Sequence, residues 1–256
     1  TVGLPYFLLS TTGPLVQAWV AKTHPQVKVY RLFALSNLAS LISLLCYPPL
    51  IEPNINLQAQ AVAWSGLYGL FALLVIVSAW RTLRAQTSVS QEPSTQGVST
   101  PVAAPQRGQV VLWYVLATLG SVLLLSFTNH MTQNIASVPF LWIVPLVIYL
   151  ATIILVFAAG GARSQSGWYA RQWFMPLLMV LLLVTAFGMV EGYASTMNIY
   201  FARPLFCVLL FVGCMFCHGE LAAMRPEPQY LTQFYLALSV GGAIGGLLVG
   251  VLAPLV

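Results

Sequence analysis

TNHMTQNIASVPFLWIVPLVIYLATIILVF, from Thr128 to Phe157, decides the fold of this chain. It opens on uncharged hydrogen-bonding groups, Thr128, Asn129, His130, Thr132, Gln133 and Asn134, and then stays apolar through two prolines, Pro139 and Pro145, around Trp142. A helix needs roughly 20 apolar residues to cross the hydrocarbon of a bilayer. The stretch therefore reads as a polar cap at one membrane face followed by a kinked span. Pro145 has no N–H for the carbonyl of Leu141, so that acceptor must be met by a neighbouring helix, a water or a ligand.

Composition extends this reading to the whole chain. Of 256 residues, 59% are hydrophobic and 6% charged, with a mean hydropathy of +0.86. Soluble domains carry about 25% charged residues, so the fold class is an all-α, polytopic bundle of membrane helices in contact with a lipid bilayer. A transmembrane barrel would show alternating strands of about 10 residues, which these continuous runs lack. The net charge of +5 comes from scattered basic residues, not from a basic patch with interleaved aromatics, and implies no nucleic acid. The chain opens and closes inside apolar runs, which suggests a segment of a longer protein.

Eight spans follow: Val2 to Val20, Phe33 to Ile51, Ala61 to Trp80, Val110 to Phe127, Val138 to Ala158, Phe174 to Val190, Phe201 to Phe216 and Leu231 to Val256. Residues 82–108 are rich in Ser, Thr, Gln and Pro and show no apolar periodicity, as expected of a flexible loop. They separate three spans (residues 1–81) from five (residues 109–256). Nine of the ten basic residues fall on alternate connections, with Arg203 the exception. By the positive-inside rule those connections, including the 82–108 loop, face the cytoplasm. The Thr128 cap then lies on the outer face.

Several polar groups are candidates for a site. Glu52, in the rigid frame Pro48-Pro49-Leu50-Ile51-Glu52-Pro53, and Glu191 sit at outer ends of spans. Acids near the membrane are functional candidates for binding a cation or proton, and a solvated cap is the alternative. With Thr128, Asn129 and Gln133 they form the candidate polar site. Helical spacing puts Asn129 and Gln133 on one face. At the cytoplasmic end of the seventh span, His218, Glu220 and Arg225 read as a polar end-cluster. Cys214-Met215-Phe216-Cys217-His218 matches C-x-x-C-H, a haem-attachment pattern that could also give thiolates to zinc. The expected cytoplasmic position and the lack of a second ligand cluster favour packed thiols and no metal. Asn37, among small residues, suits a hydrogen bond between helices. Gly241 to Gly246, GGAIGG, lacks the strand and acid of a nucleotide loop and reads as a close-packing face. There is no Asp in the chain, so no Ser/His/Asp triad.

Four phrases together carry a family resemblance: LPYFLLSTTGPLVQAW from Leu4, YRLFALSNLASLISLLCYPPLIEP from Tyr30, the Thr128 stretch, and CHGELAAMRPEPQYLTQFYLALSVGGAIGG from Cys217. They resemble the membrane portion of bacterial fused transporter-like (MFS-like)/spermidine synthase proteins. The resemblance implies the membrane domain of a polyamine aminopropyltransferase-related protein in a bacterial inner membrane. It would anchor or serve a soluble synthase-like domain of the same chain or of a partner subunit. It carries no catalytic residue and no cofactor onto this segment, which lacks the nucleotide-binding strand–Gly-loop–helix unit. A small-solute transporter module, with a cationic or polyamine substrate, and a structural subunit of a larger complex are the alternatives.

The charge bias makes one direct prediction. A cysteine introduced at Ser94 is expected to resist an impermeant thiol reagent in intact cells and to react once the membrane is opened. Labelling in intact cells would reverse the orientation.

Overall fold

A computed structural model of the chain describes residues 3–23, 27–89, 104–134, 140–158, 168–190 and 199–255. Among them there are helices and no strands. Eight long helices follow in order: α1 Gly3–Thr23, α2 Val29–Cys46, α3 Leu57–Val89, α4 Arg107–Asn134, α5 Phe140–Ala158, α6 Arg171–Val190, α7 Ile199–Ala223 and α8 Leu231–Leu247. Among the described residues, six helical stretches are long and apolar enough to cross a membrane: Val29–Ile51, Leu57–Arg84, Arg107–Thr132, Arg171–Gly188, Pro204–Ala223 and Pro228–Leu255. Trp142–Ala158 in α5 is apolar but shorter. By length and composition this is a multi-pass helical membrane protein.

Several helices outrun the apolar spans expected from sequence, because hydropathy marks the hydrocarbon while backbone hydrogen bonding continues until something interrupts it. α3 passes Trp80 and reaches Val89. One turn beyond Trp80, the Arg84 guanidinium lies 3.8 Å from the indole ring centre, an i, i+4 cation–π pair that holds this polar extension. α4 runs through Thr128 to Asn134, and α7 takes in Cys217, His218 and Glu220. Conversely, α2 changes pitch at Pro48 and Pro49. Neither proline can donate to the carbonyl four residues back, so the backbone widens into a π turn, Tyr47–Ile51, closed by the Glu52 amide on the Tyr47 carbonyl at 3.0 Å.

The chain divides into two compact units. The first, Thr1–Lys28 with Ile42–Ala103, holds α1, the end of α2, and α3. Its α3 presents Leu57, Trp64, Leu67 and Ile76 outward. The hydroxyls of Ser65 and Ser78 return to their own helix, donating to the carbonyls of Ala61 and Leu74 at 2.9 and 2.7 Å. That is how a helix with a lipid-facing surface accommodates serine.

The second unit, Val29–Leu41 with Ala104–Val256, holds the start of α2 and α4 to α8. α7 is its centre, packed on α4, α5 and α6, and 56% of its apolar window is buried against none of α6's. α4 and α8 meet along a seam of small residues. A Cβ on Gly241 would stand 2.8 Å from the Tyr114 carbonyl oxygen, and one on Gly245 the same distance from that of Thr118. The four-residue spacing Gly241–Gly245 lets the two backbones touch, the packing role expected of GGAIGG. The Thr118 hydroxyl, donating to the Gly241 carbonyl at 3.0 Å, fastens the seam. Asn37, expected to bond across helices, instead donates to the Phe33 carbonyl on α2 itself at 2.8 Å, one turn back. That carbonyl is within the side chain's own reach, so no partner helix is needed.

Aromatic rings close one end of this unit. Phe234 is buried edge-on to Trp113, with centroids 5.2 Å apart, and Phe33 edge-on to Phe157 at 5.1 Å. The last carbonyls of α7 lack helical donors. Gln109 and the Trp113 indole both donate to the Met224 carbonyl, at 2.9 and 3.2 Å, and the Tyr30 hydroxyl donates to that of Pro226 at 2.6 Å. The α7–α8 turn is thus held by side chains of α2 and α4.

The seam predicts a sharp contrast. Gly245→Ala pushes a methyl into backbone that cannot swing aside and is expected to lower stability in detergent by about 1–3 kcal/mol. Gly66→Ala, with nothing within 4 Å of its added Cβ, is expected to leave it unchanged or slightly raised. Thermal unfolding of the two variants checks this. Equal behaviour would mean that α4 and α8 do not meet backbone to backbone.

Candidate functional site

The polar constellation inside the second unit centres on His218. α7 carries this residue fully into the seam between α4 and α5, 3% exposed. Its Nδ1 lies 2.9 Å from the Thr152 hydroxyl oxygen on α5. Thr152 has one proton, and it goes to the Tyr149 carbonyl at 2.8 Å. With that proton given to the carbonyl, the hydroxyl oxygen is left to accept from Nδ1–H, and a neutral ring then carries its lone pair on Nε2. Nε2 faces α4 at Gly120, where a Cβ would stand 3.4 Å away. The Tyr149 ring meets the imidazole edge-on with centroids 4.7 Å apart. A β-carbon at position 120 would also stand 3.9 Å from Cys217, so α4 and α7 pack at ordinary contact distances around the histidine.

Two residues further along α7 the side chains point elsewhere, as roughly 100° per residue requires. Glu220 accepts a 2.6 Å hydrogen bond from the hydroxyl of Tyr169, in the connection before α6, and its carboxylate lies 3.6 Å from Arg171 Nε. The Tyr169 ring lies flat against Gly219, where any Cβ would collide with it. Burial, and then the neighbouring carboxylate, hold the Tyr169 phenol well above its ordinary range, so it stays a donor to Glu220. Arg225 sits over the ring of Tyr30, 5.4 Å from its centre. His218, Glu220 and Arg225, one cluster in the sequence reading, thus serve three separate contacts: with α5, with the start of α6, and with α2.

The cysteines are free thiols. Cys214 joins a buried cluster with Phe127, Met131 and Leu210, and Cys217 is buried beside Gly120. Among the described residues no three His, Cys, Asp or Glu side chains converge on a point that could hold a metal ion.

The polar stretch at the end of α4 is helical. Thr128 and Thr132 donate to carbonyls of their own helix, those of Leu124 at 2.7 Å and Asn129 at 3.0 Å, and Asn129 is exposed. The His130 ring lies tilted against Phe206 of α7, with centroids 4.8 Å apart. The side chain of Gln133 and the whole of Glu191 lie outside the described residues. Glu52 is exposed and belongs to the first unit, Thr128 and Asn129 to the second.

Sequence reasoning missed Thr152 and Tyr149, which the apolar run of α5 conceals, and Tyr169. A signal was present: a hydroxyl and a histidine within otherwise apolar spans must find partners inside the protein.

Compared with known proteins, the chain matches no family model, no curated protein and no solved structure.

A double-mutant cycle tests the central pair. Thr152→Val and His218→Phe are each expected to destabilise the protein in lipid or detergent. Their coupling energy is expected at about 0.6 kcal/mol, with a ceiling of about 1.7, the range of hydrogen bonds between membrane helices. Additive single effects would show that the two side chains do not interact.

Proposed function

We propose that this chain is the integral membrane domain of a spermidine-synthase-like protein of a bacterial inner membrane. It holds a soluble aminopropyltransferase-related domain, of the same chain or of a partner subunit, at the lipid surface. Four phrases in order across the sequence support the family, and the interior of the second unit supports an anchoring role. Among its described residues the buried Thr152 and His218 bond to each other, and the buried Tyr169 hydroxyl bonds to Glu220. That observation carries the proposal, because a module that moves a polar solute needs unpaired polar groups along its path, whereas an anchor needs its own polar groups matched.

The test uses the complete gene product in isolated membranes. Aminopropyl transfer from decarboxylated adenosylmethionine to putrescine is expected to sediment with the membranes and to survive an alkaline wash. Residues 1–256 alone are expected to give neither transfer nor cofactor binding. Transfer activity that stays in the soluble fraction would overturn the anchor. Uptake of labelled putrescine into proteoliposomes by residues 1–256 alone would favour the transporter reading instead.

A further inference from the structure

Where α6 begins, a recess of about 660 Å³ opens on the surface, lined by Ala170, Arg171, Gln172, Met175 and Pro176. Its chemistry is divided. Arg171 and Gln172 make a polar rim, while Met175 and Pro176 make an apolar floor. The Arg171 side chain is 66% exposed, with its Nε 3.6 Å from the Glu220 carboxylate. Among the described residues, none accepts a hydrogen bond from its terminal nitrogens. The planar fork that suits a phosphate is therefore open. Below the floor, Met179 and Leu183 continue the Met175 stripe at four-residue spacing, both exposed, on a helix whose apolar window is wholly unburied. Trp168 and Trp173, 74% and 71% exposed, stand in the same stretch, as aromatic residues do at the level of lipid headgroups.

We infer that this recess binds an anionic phospholipid. The phosphate sits on the Arg171 fork with the Gln172 amide beside it, the glycerol backbone enters the recess, and one acyl chain follows Met175, Met179 and Leu183. The Glu220 carboxylate offsets part of the Arg171 charge from the Nε side, and the exposed terminal nitrogens favour an anionic headgroup over a zwitterionic one, which brings its own cation. The apolar floor selects lipid over free phosphate, which has nothing to place against Met175 and Pro176. By the charge rule the site faces the cytoplasmic leaflet, where anionic headgroups attract basic side chains.

Native mass spectrometry of the full chain, carried in detergent with equal dioleoyl-phosphatidylglycerol and dioleoyl-phosphatidylcholine, tests this. The wild type is expected to retain phosphatidylglycerol about fivefold in preference, the factor one cation contributes at an anionic surface. Arg171→Ala is expected to lose the preference. Met175→Trp, which fills the recess and leaves the arginine in place, is expected to lose it too. Arg31→Ala, a basic residue of the same unit away from the recess, is expected to keep it, with all melting temperatures compared. Equal retention of the two lipids by the wild type, or an unchanged preference in Arg171→Ala, overturns the site. Loss of bound lipid to millimolar inorganic phosphate would show an ion site and overturn the lipid assignment.

Discussion

A histidine buried between apolar helices has no water to bond with, and the second unit is arranged around satisfying this one. His218 can lie at the α4–α5–α7 junction because Thr152 supplies an acceptor and Gly120 supplies room. The threonine can accept because its own proton is taken by a carbonyl of α5. Each condition rests on the one before it. A hydroxyl free to rotate would leave the imidazole tautomer undetermined, and a side chain reaching beyond its Cβ at position 120 would press on His218, Tyr149 and Cys217. The bond itself contributes little, since hydrogen bonds between membrane helices average well under 1 kcal/mol. Its larger effect is on register, because α5 and α7 cannot slide by a turn without stranding both groups.

The rest of the unit is held by contact of backbones and by capping of helix ends. Small residues matter here because lipid tails are as apolar as leucine, so hydrophobicity gives helices no reason to prefer each other. The Gly241–Gly245 seam brings α8 within backbone contact of α4, and Gly219 lets the Tyr169 ring lie against the α7 backbone. At the α7–α8 turn, three donors from α2 and α4 take the Met224 and Pro226 carbonyls just past the end of α7. In contrast to this core, the apolar window of α6 is entirely unburied, as is that of α3 in the first unit. An apolar surface of that extent belongs against lipid or another protein.

The helical class was legible in the apolar runs alone, and so was the packing face of α8, because small residues at four-residue spacing admit little else. The fate of the polar residues was harder to read. Glu220 and His218 are two apart in sequence and look like one cluster, yet helical geometry sends them to different neighbours. Asn37 looked like a bond between helices, but a carbonyl one turn back was nearer. The Thr128–Asn134 stretch reads as a polar cap with candidate site residues Thr128, Asn129 and Gln133. Thr128 and Thr132 are nevertheless content with their own helix. Sequence shows which groups need partners; which helix faces which then decides the partner, and that was not written in any local pattern.

The most direct test of this account is the protonation state of His218 in a bilayer. Solid-state NMR of protein labelled with ¹⁵N-histidine, compared with His24 and His130 substituted forms, reports which ring nitrogen carries the proton. The account predicts a neutral imidazole at neutral pH protonated at Nδ1, with a contact to the Thr152 hydroxyl that disappears in Thr152→Val. An Nε2-protonated ring, or an imidazolium, would contradict it.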